Sequence, residues 1–154
     1  QRILVTMGAG AAPPVRGLRP VAAVAPGVAA ATGLSLQQLT AALVGQLRPA
    51  AVVCVDSLCS AEGQRLGRTV QFSDSGLYPA QADHTRHLTR DTVGVPVVAA
   101  GIPTLMQAQE GADLVVTPRA LDSVIAHGAA LLAGSVNRAL QPRLTVQQLC
   151  WLTG

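Results

Sequence analysis

Short apolar runs rich in valine recur along the chain, and each run breaks at once into glycine, proline or polar residues. This pattern is typical of strands that are buried in a sheet and deliver a loop where they end. Three other segments follow a serine or threonine that can cap a helix, and the two longer ones repeat apolar residues at helical spacing. The predicted elements are, in chain order, a strand at 21–25, a helix at 36–47, strands at 51–55, 69–72, 95–99 and 113–116, and helices at 118–132 and 146–152.

Strands and helices alternate in this order, which predicts an α/β fold: a three-layer α/β/α arrangement around a mostly parallel sheet. The strand at 21–25, the helix at 36–47 and the strand at 51–55 form a βαβ crossover, so we expect those strands to be parallel. Pro103 is expected in the first turn of a further helix. With 154 residues, the natural reading is one domain over 1–154.

Composition narrows the classes of partner. Apolar residues make up 49% of the chain and aromatic residues only 2%, so the core must be aliphatic. The net charge of +3, with no basic cluster interleaved with aromatics, argues against nucleic acid. No apolar run approaches about 18 residues, so no membrane partner is expected. Three cysteines without a zinc spacing and no visible secretory signal favour a cytoplasmic protein, with Cys54 as a small buried side chain.

Two carboxylates stand where strands are expected to end. Asp56 follows the run at 51–55, and Asp74 follows the run at 69–72. Open α/β sheets place their chemistry outside the carboxyl ends of the strands. Two carboxylates that converge on one water molecule could hydrolyse a bond by acid–base catalysis. The alternatives are that Asp56 caps the following turn and that Asp74 belongs to an ordinary turn.

A dense polar cluster lies in the loop that follows. Asp83, His84 and His87 could supply metal ligands, although a solvated polar loop is the favoured interpretation. The chain has no G-x-S-x-G elbow, H-E-x-x-H helix, P-loop or G-x-G-x-x-G turn. No metal and no cofactor is therefore predicted.

Several segments match a known series of motifs in the same order. They are Pro26-Gly27-Val28 with Thr32-Gly33 (PGV…TG), Val55-Asp56-Ser57-Leu58 (IDAL), 69–76 (TIQISDTG), 93–98 with Gly101-Ile102-Pro103-Thr104 (LGIPVIAIGVPT), and Val116-Thr117-Pro118 with Leu121-Asp122 (VTPKEID). In these segments, which span about three quarters of the chain, the sequence resembles the germination protease family, the spore endopeptidases that degrade small acid-soluble spore proteins.

The resemblance implies a fold shared with the hydrogenase maturation proteases and an atypical aspartic-type endopeptidase with two essential aspartates. It also implies a zymogen, a homotetramer, a place in the spore core and small acid-soluble spore proteins as substrates. Asp56 matches one of the two aspartates. The other belongs to an upstream TPDALGP-type motif, for which the acid-free first 55 residues offer no counterpart. The alignment places the family's first strand and any propeptide before Gln1.

The resemblance also implies a cleft. The family's glycine-rich PGSGVGN reads here as 79–85 with three glycines lost, which bears on how closely a substrate backbone can approach. The residues expected to line the cleft or bind substrate are Ser73, Asp74, Ser75, Gly76, Asp83, His84 and Thr104.

Two alternatives remain open at this point. One is a catalytically inactive relative or regulatory binding module that keeps the fold. The other is a metal-assisted peptidase of the maturation type, which would use Asp56 with His84 or His87.

Overall fold

A computed structural model describes residues 2–7, 16–27, 32–78, 87–107 and 115–154. The chain divides into two compact units, one formed by Gln1–Ala25 with Ile125–Gly154 and the other by Pro26–Val124. The prediction of one domain over 1–154 stays a prediction. In Pro26–Val124 the elements are helix α1 (Leu36–Leu47), strand β1 (Val52–Ser60), a 3₁₀ turn (Gly63–Arg65), strand β2 (Gln71–Ser73), helix α2 (Arg90–Val93), and strands β3 (Val97–Gln107) and β4 (Val115–Val116).

The long strand β3 is the centre of the sheet. Its residue Gly101 pairs with Asp56 of β1 on one side and with Gln71 of β2 on the other. Strand β1 is parallel to β3, whereas β2 and the two-residue β4 are antiparallel to it. The α/β class is confirmed, but the sheet is mixed, and the mostly parallel arrangement is only partly seen.

The reversal of β2 has a simple cause. A parallel connection needs a crossover of a dozen or more residues, usually with a helix. Between β1 and β2 the segment 61–70 holds only the 3₁₀ turn Gly63–Arg65. The chain therefore turns back, and β2 runs in the opposite direction to β1.

Strands β1 and β3 are both longer than predicted. They stay paired from Val52 with Val97 to Ser60 with Met106, with an irregularity between Leu58 and Cys59. Pro103 consequently lies inside β3 and does not begin a helix. Proline has no N–H to give to a sheet, and it is tolerated here because it adjoins this bulge.

Helix α1 is as predicted because its signals are local. The Ser35 side chain accepts a hydrogen bond from the Gln38 N–H, and the Gln38 side chain accepts one from the Ser35 N–H, which forms a capping box. The buried core of this unit consists of Leu77, Leu88, Val93, Val97 and Ala99, and the partly buried side chains packed against it include Leu36 and Val44 of α1 and Val52, Cys54 and Leu58 of β1.

The unit formed by Gln1–Ala25 with Ile125–Gly154 is helical, with α3 (Leu121–Leu140, which begins just before the boundary) and α4 (Val146–Thr153). The prediction for α4 is confirmed, including the capping box from Thr145. Helix α3 starts later and ends later than the predicted 118–132. Among the residues placed by the structure, no helix combines the length and the hydropathy of a membrane span.

The strand predicted at 21–25 does not form. Instead, the Val21 carbonyl accepts hydrogen bonds from the N–H groups of Thr6 and Met7, at 3.0 and 3.1 Å. The Val21 N–H donates to the Thr6 hydroxyl at 2.9 Å. Residues 21–25 are not a strand and do not join the sheet, so the predicted βαβ crossover is wrong.

Candidate functional site

Asp56 lies in the middle of β1, not at its end. It is the fifth of nine residues in the strand and is exposed. Its Oδ1 accepts a hydrogen bond from the Ser57 N–H at 2.8 Å. Pairing with β3 carries the strand on to Ser60, so the expectation that the strand stops at residue 55 is wrong. The carboxylate is held on a paired strand rather than on a loop.

The side chains of a strand alternate between the two faces of a sheet. Asp56 therefore shares a face with Val52, Cys54 and Leu58, which all pack against the core. We call this side of the sheet the Asp56 face. Asp56 itself is exposed. The Asp56 face is therefore open to solvent at Asp56, although the side chains of Cys54 and Leu58 on either side of it are partly buried.

The Asp56 carboxylate contributes to a raised pKa of the Cys54 thiol. Burial of the thiol, and then the negative charge of Asp56, raise the pKa of Cys54 from 9.0 to about 11. A thiol with so high a pKa is neutral at physiological pH and is a poor nucleophile. The structure supports the interpretation of Cys54 as an apolar packing side chain.

Gly101 is the neighbour of Asp56 on β3, and no other residue fits there. A Cβ at this position would overlap the Asp56 carbonyl oxygen and would lie 2.7 Å from Leu58 Cγ. The Leu58 side chain thus occupies the space above Gly101 on the Asp56 face. The result is an apolar patch directly beside the carboxylate.

Gln71 lies on the other side of Gly101, at the same level of the sheet as Asp56. Residues that face each other across a sheet point to the same face, so the Gln71 side chain also belongs to the Asp56 face. It is half-buried. The prediction from sequence did not include it, because only the pairing register of β2 brings it beside Gly101.

The loop Ser73–Gly76 leaves the sheet elsewhere. Ser73 ends β2 opposite Ala99, so the loop continues beyond that level, toward the amino ends of β1 and β3. The Ser73 Oγ lies 2.7 Å from the Ser75 Oγ, and Asp74 is exposed. Because β2 is antiparallel, Asp74 does not follow a strand end that adjoins Asp56, contrary to the simplest expectation from the sequence.

Gly76 shapes the return of this loop. It has φ 104°, and a Cβ there would overlap the Leu88 carbonyl oxygen. That oxygen accepts a hydrogen bond from the Leu77 N–H at 2.8 Å, and the Leu88 N–H donates back to Leu77 at 3.0 Å. A buried glycine is therefore required where the two ends of the long loop meet.

The remaining predicted site residues are not gathered around Asp56. Thr104 is buried at the irregularity between β1 and β3, with 5% of its surface exposed. His87 is half-buried, and its ring lies 5.0 Å from that of Tyr78. Asp83 and His84 lie outside the described residues. Within the described ranges, no group of three or more His, Cys, Asp or Glu side chains is placed to hold a metal ion.

Comparison with known proteins gives the same family as the motifs. The family model for the germination protease matches residues 12–110. The germination protease of Clostridium perfringens strain 13 is 28% identical over 180 aligned positions, which cover 86% of this chain and 55% of that protein. That of Halalkalibacterium halodurans is 36% identical over 113 positions, covering 72% of this chain and 29% of the relative.

The germination protease of Bacillus subtilis is 37% identical over 94 positions, covering 60% of this chain and 26% of that protein. The chain spans about half the length, or less, of these curated relatives. The matched region contains the whole of β1, β2 and β3, and with them Asp56, Gln71 and Gly101. The chain belongs to the germination protease family.

Proposed function

We propose that this chain is part of an endopeptidase in which Asp56 is one of two carboxylates that activate water against a peptide bond. The single observation that carries the proposal is the placement of Asp56. Asp56 is an exposed carboxylate whose backbone is paired at the centre of a strand, in a family of peptidases, so it is accessible to substrate. In peptide hydrolysis such a group accepts a proton from the attacking water, and the acid–base pair returns a proton to the leaving amine.

The second carboxylate is not Asp74 in this account. Asp74 lies in the loop after Ser73, the residue that ends antiparallel β2 at the level of Ala99, whereas Asp56 is level with Gly101. The family resemblance assigns the second role to a TPDALGP-type aspartate. Residues 1–55 contain no aspartate or glutamate that could take this role.

The substrates that we propose are small acid-soluble spore proteins, cleaved in the spore core during germination. Ser73, Asp74, Ser75 and Gly76 are proposed to line the cleft, together with Asp83, His84 and Thr104. Support for this part comes from the family resemblance and, for Ser73, from its position on the Asp56 face.

The direct test is Asp56→Asn in the complete natural gene product, assayed for cleavage of purified small acid-soluble spore proteins. The matched control is Asp122→Asn, since Asp122 is an exposed carboxylate in the first turn of α3. We expect Asp56→Asn to lose cleavage while it unfolds at the same temperature as the wild type. Cleavage by Asp56→Asn at the wild-type rate would reject the assignment, and a wild-type protein without any cleavage would favour the inactive relative.

We also propose that the protein assembles with copies of itself. Apolar side chains of the sheet that point away from the Asp56 face and are exposed include Val53 (40%), Val55 (50%), Phe72 (63%) and Val98 (37%). Exposed apolar clusters of this kind often mark interfaces between proteins. Light scattering on the purified natural protein tests this proposal, since a monomer at micromolar concentration would contradict it.

A further inference from the structure

We propose that Gln71 binds the carbonyl oxygen of the scissile peptide bond, opposite Asp56 across the backbone of Gly101. The inference rests on the proposed function, because it adds to the two proposed carboxylates a further group that acts on the same peptide bond. No sequence motif assigns this role to Gln71. The inference comes from the register of the sheet, which pairs both Asp56 and Gln71 with Gly101.

The register places the two side chains on either side of one residue. Asp56 and Gln71 are both Cα partners of Gly101, on opposite edges of β3. Neighbouring strands lie about 4.8 Å apart, so their backbones are separated by roughly 10 Å. Both side chains rise from the same face. The Asp56 carboxylate is hydrogen-bonded to the Ser57 N–H and not to Gln71, and a span of this width suits a water molecule and a peptide carbonyl between the two groups.

The chemistry of the two groups is complementary. An ionised carboxylate only accepts hydrogen bonds, so Asp56 can take a proton from water but cannot stabilise negative charge on oxygen. The carboxamide of glutamine carries two N–H donors. Amide side chains aimed at a developing oxyanion are among the groups that stabilise such transition states.

The surface between the two groups is apolar. Gly101 contributes no side chain, and the Leu58 side chain covers it, with Cγ 2.7 Å from the point where a Cβ would stand. Leu58 is partly buried and packs against the core. A substrate carbonyl that rests on this surface displaces water, and hydrogen bonds from Gln71 are stronger where water is excluded.

Gln71 is available for this role. Its side chain is half-buried and makes no hydrogen bond to any residue that the structure describes. The next polar side chain of β2 on the same face is that of Ser73, which is engaged with Ser75 at 2.7 Å. The Cys54 thiol is only a weak donor. Gln71 is therefore the strongest donor that the described strands present on the Asp56 face at this level.

The step is balanced as an ordinary hydrolysis. The water oxygen forms a bond to the carbonyl carbon while Asp56 accepts one of its protons. The electron pair of the C=O π bond moves to oxygen, where the Gln71 N–H groups donate hydrogen bonds to the negative charge. The C–N bond then breaks, the amine nitrogen receives the proton, and a carboxylic acid and an amine leave.

The test uses the complete natural protein with small acid-soluble spore protein as substrate. Gln71→Ala removes the donor, and Gln71→Met removes it while nearly preserving the shape of the side chain. The matched control is Gln46→Ala, an exposed glutamine on α1. Loss of one oxyanion donor costs about 10²–10³-fold in kcat. We expect a loss of this size in both Gln71 variants with KM changed less than threefold, and no loss in the control.

The outcomes separate this inference from the proposed function. Gln71→Met with kcat within threefold of the wild type, while Asp56→Asn is inactive, would reject the role of Gln71 and leave the peptidase intact. A rise in KM alone would also reject it, because it would show ground-state binding only. Full activity of Asp56→Asn would reject both the proposed function and the role of Gln71. Circular dichroism and the thermal midpoint of each variant exclude loss of fold as the cause of lost activity.

Discussion

Asp56 and Gln71 lie on opposite edges of β3, and both are paired with Gly101. A carboxylate and a carboxamide therefore emerge from one face of the sheet with a residue between them that has no side chain. Leu58 covers that residue. The arrangement gives a proton acceptor and a hydrogen-bond donor on either side of an apolar surface, which is a geometry suited to hydrolysis of a peptide bond.

Gly101→Ala is expected to be destabilising because its Cβ would overlap the Asp56 carbonyl oxygen and crowd Leu58 Cγ. Forcing extra volume into a packed site costs about 1–3 kcal/mol. Urea unfolding measures this. The control is Gly45→Ala on α1, where a Cβ meets nothing within 4 Å and alanine should stabilise the helix by about 0.5–1 kcal/mol. Equal stabilities of the two variants would contradict the packing above Gly101.

Gly76→Ala is expected to destabilise the protein more than Gly94→Ala does. Both glycines have positive φ, 104° and 81°, so alanine at either position is destabilised by backbone strain of about 1–2 kcal/mol. Only at Gly76 does the Cβ also overlap a backbone oxygen, that of Leu88, while at Gly94 it meets nothing within 4 Å. The difference between the two unfolding free energies isolates the overlap. If Gly94→Ala were the less stable variant, the closure of the loop by Leu77 and Leu88 would be misdescribed.

Cys54 makes the stability depend on pH in the alkaline range. Its pKa is raised from 9.0 to about 11, first by burial and then by the charge of Asp56. The folded protein therefore holds the thiol proton more tightly than the unfolded chain does. This contribution to stability is complete below pH 9 and is lost as the pH rises toward 11.

Urea unfolding at several pH values checks this dependence. Cys54→Ala should lose less stability between pH 9 and 11 than the wild type loses. Alkylation at pH 8 gives a second check, since the exposed Cys59 should react well before Cys54. Equal alkylation rates at the two cysteines would show that Cys54 is not held neutral by its surroundings.

Asn137→Ala is expected to destabilise the unit formed by Gln1–Ala25 with Ile125–Gly154. The buried Asn137 side chain accepts a hydrogen bond from the Leu4 N–H and donates one to the Arg2 carbonyl, both at 2.8 Å. Removing it leaves two backbone groups without their partner, at about 1–3 kcal/mol for each unsatisfied group. Ser135→Ala, at an exposed position of the same helix, is the control. Thermal unfolding of both variants measures the difference, and a midpoint for Asn137→Ala equal to that of Ser135→Ala would contradict the role of Asn137.

The sequence predicted the parts of the fold whose signals are local. Helix α1 was predicted with its observed limits because Ser35 caps it and its apolar residues repeat at helical spacing. Helix α4 begins at Val146 as predicted, because Thr145 caps it, and it ends one residue later than predicted. Asp56 stays a predicted site residue, which was selected first from its position after an apolar run and then from its match to a family motif.

The predictions that were wrong concern features that depend on contacts between residues far apart in the sequence. The length of β1 and β3 comes from their pairing with each other, which carries Pro103 into a strand. The direction of β2 depends on the absence of a crossover helix between residues 61 and 70. Gln71 could not be selected from sequence for the same reason, because a one-residue change of register would turn it to the other face.

Asp56 is proposed to activate the water that cleaves the substrate. The most direct measurement is the single-turnover rate of cleavage of a small acid-soluble spore protein by the complete natural protein and by its Asp56→Asn variant, at equal enzyme concentration. Removal of a general base costs about 10²–10⁴-fold, and we predict a fall of at least this size with an unchanged thermal midpoint. A rate for Asp56→Asn within threefold of the wild type would contradict the account.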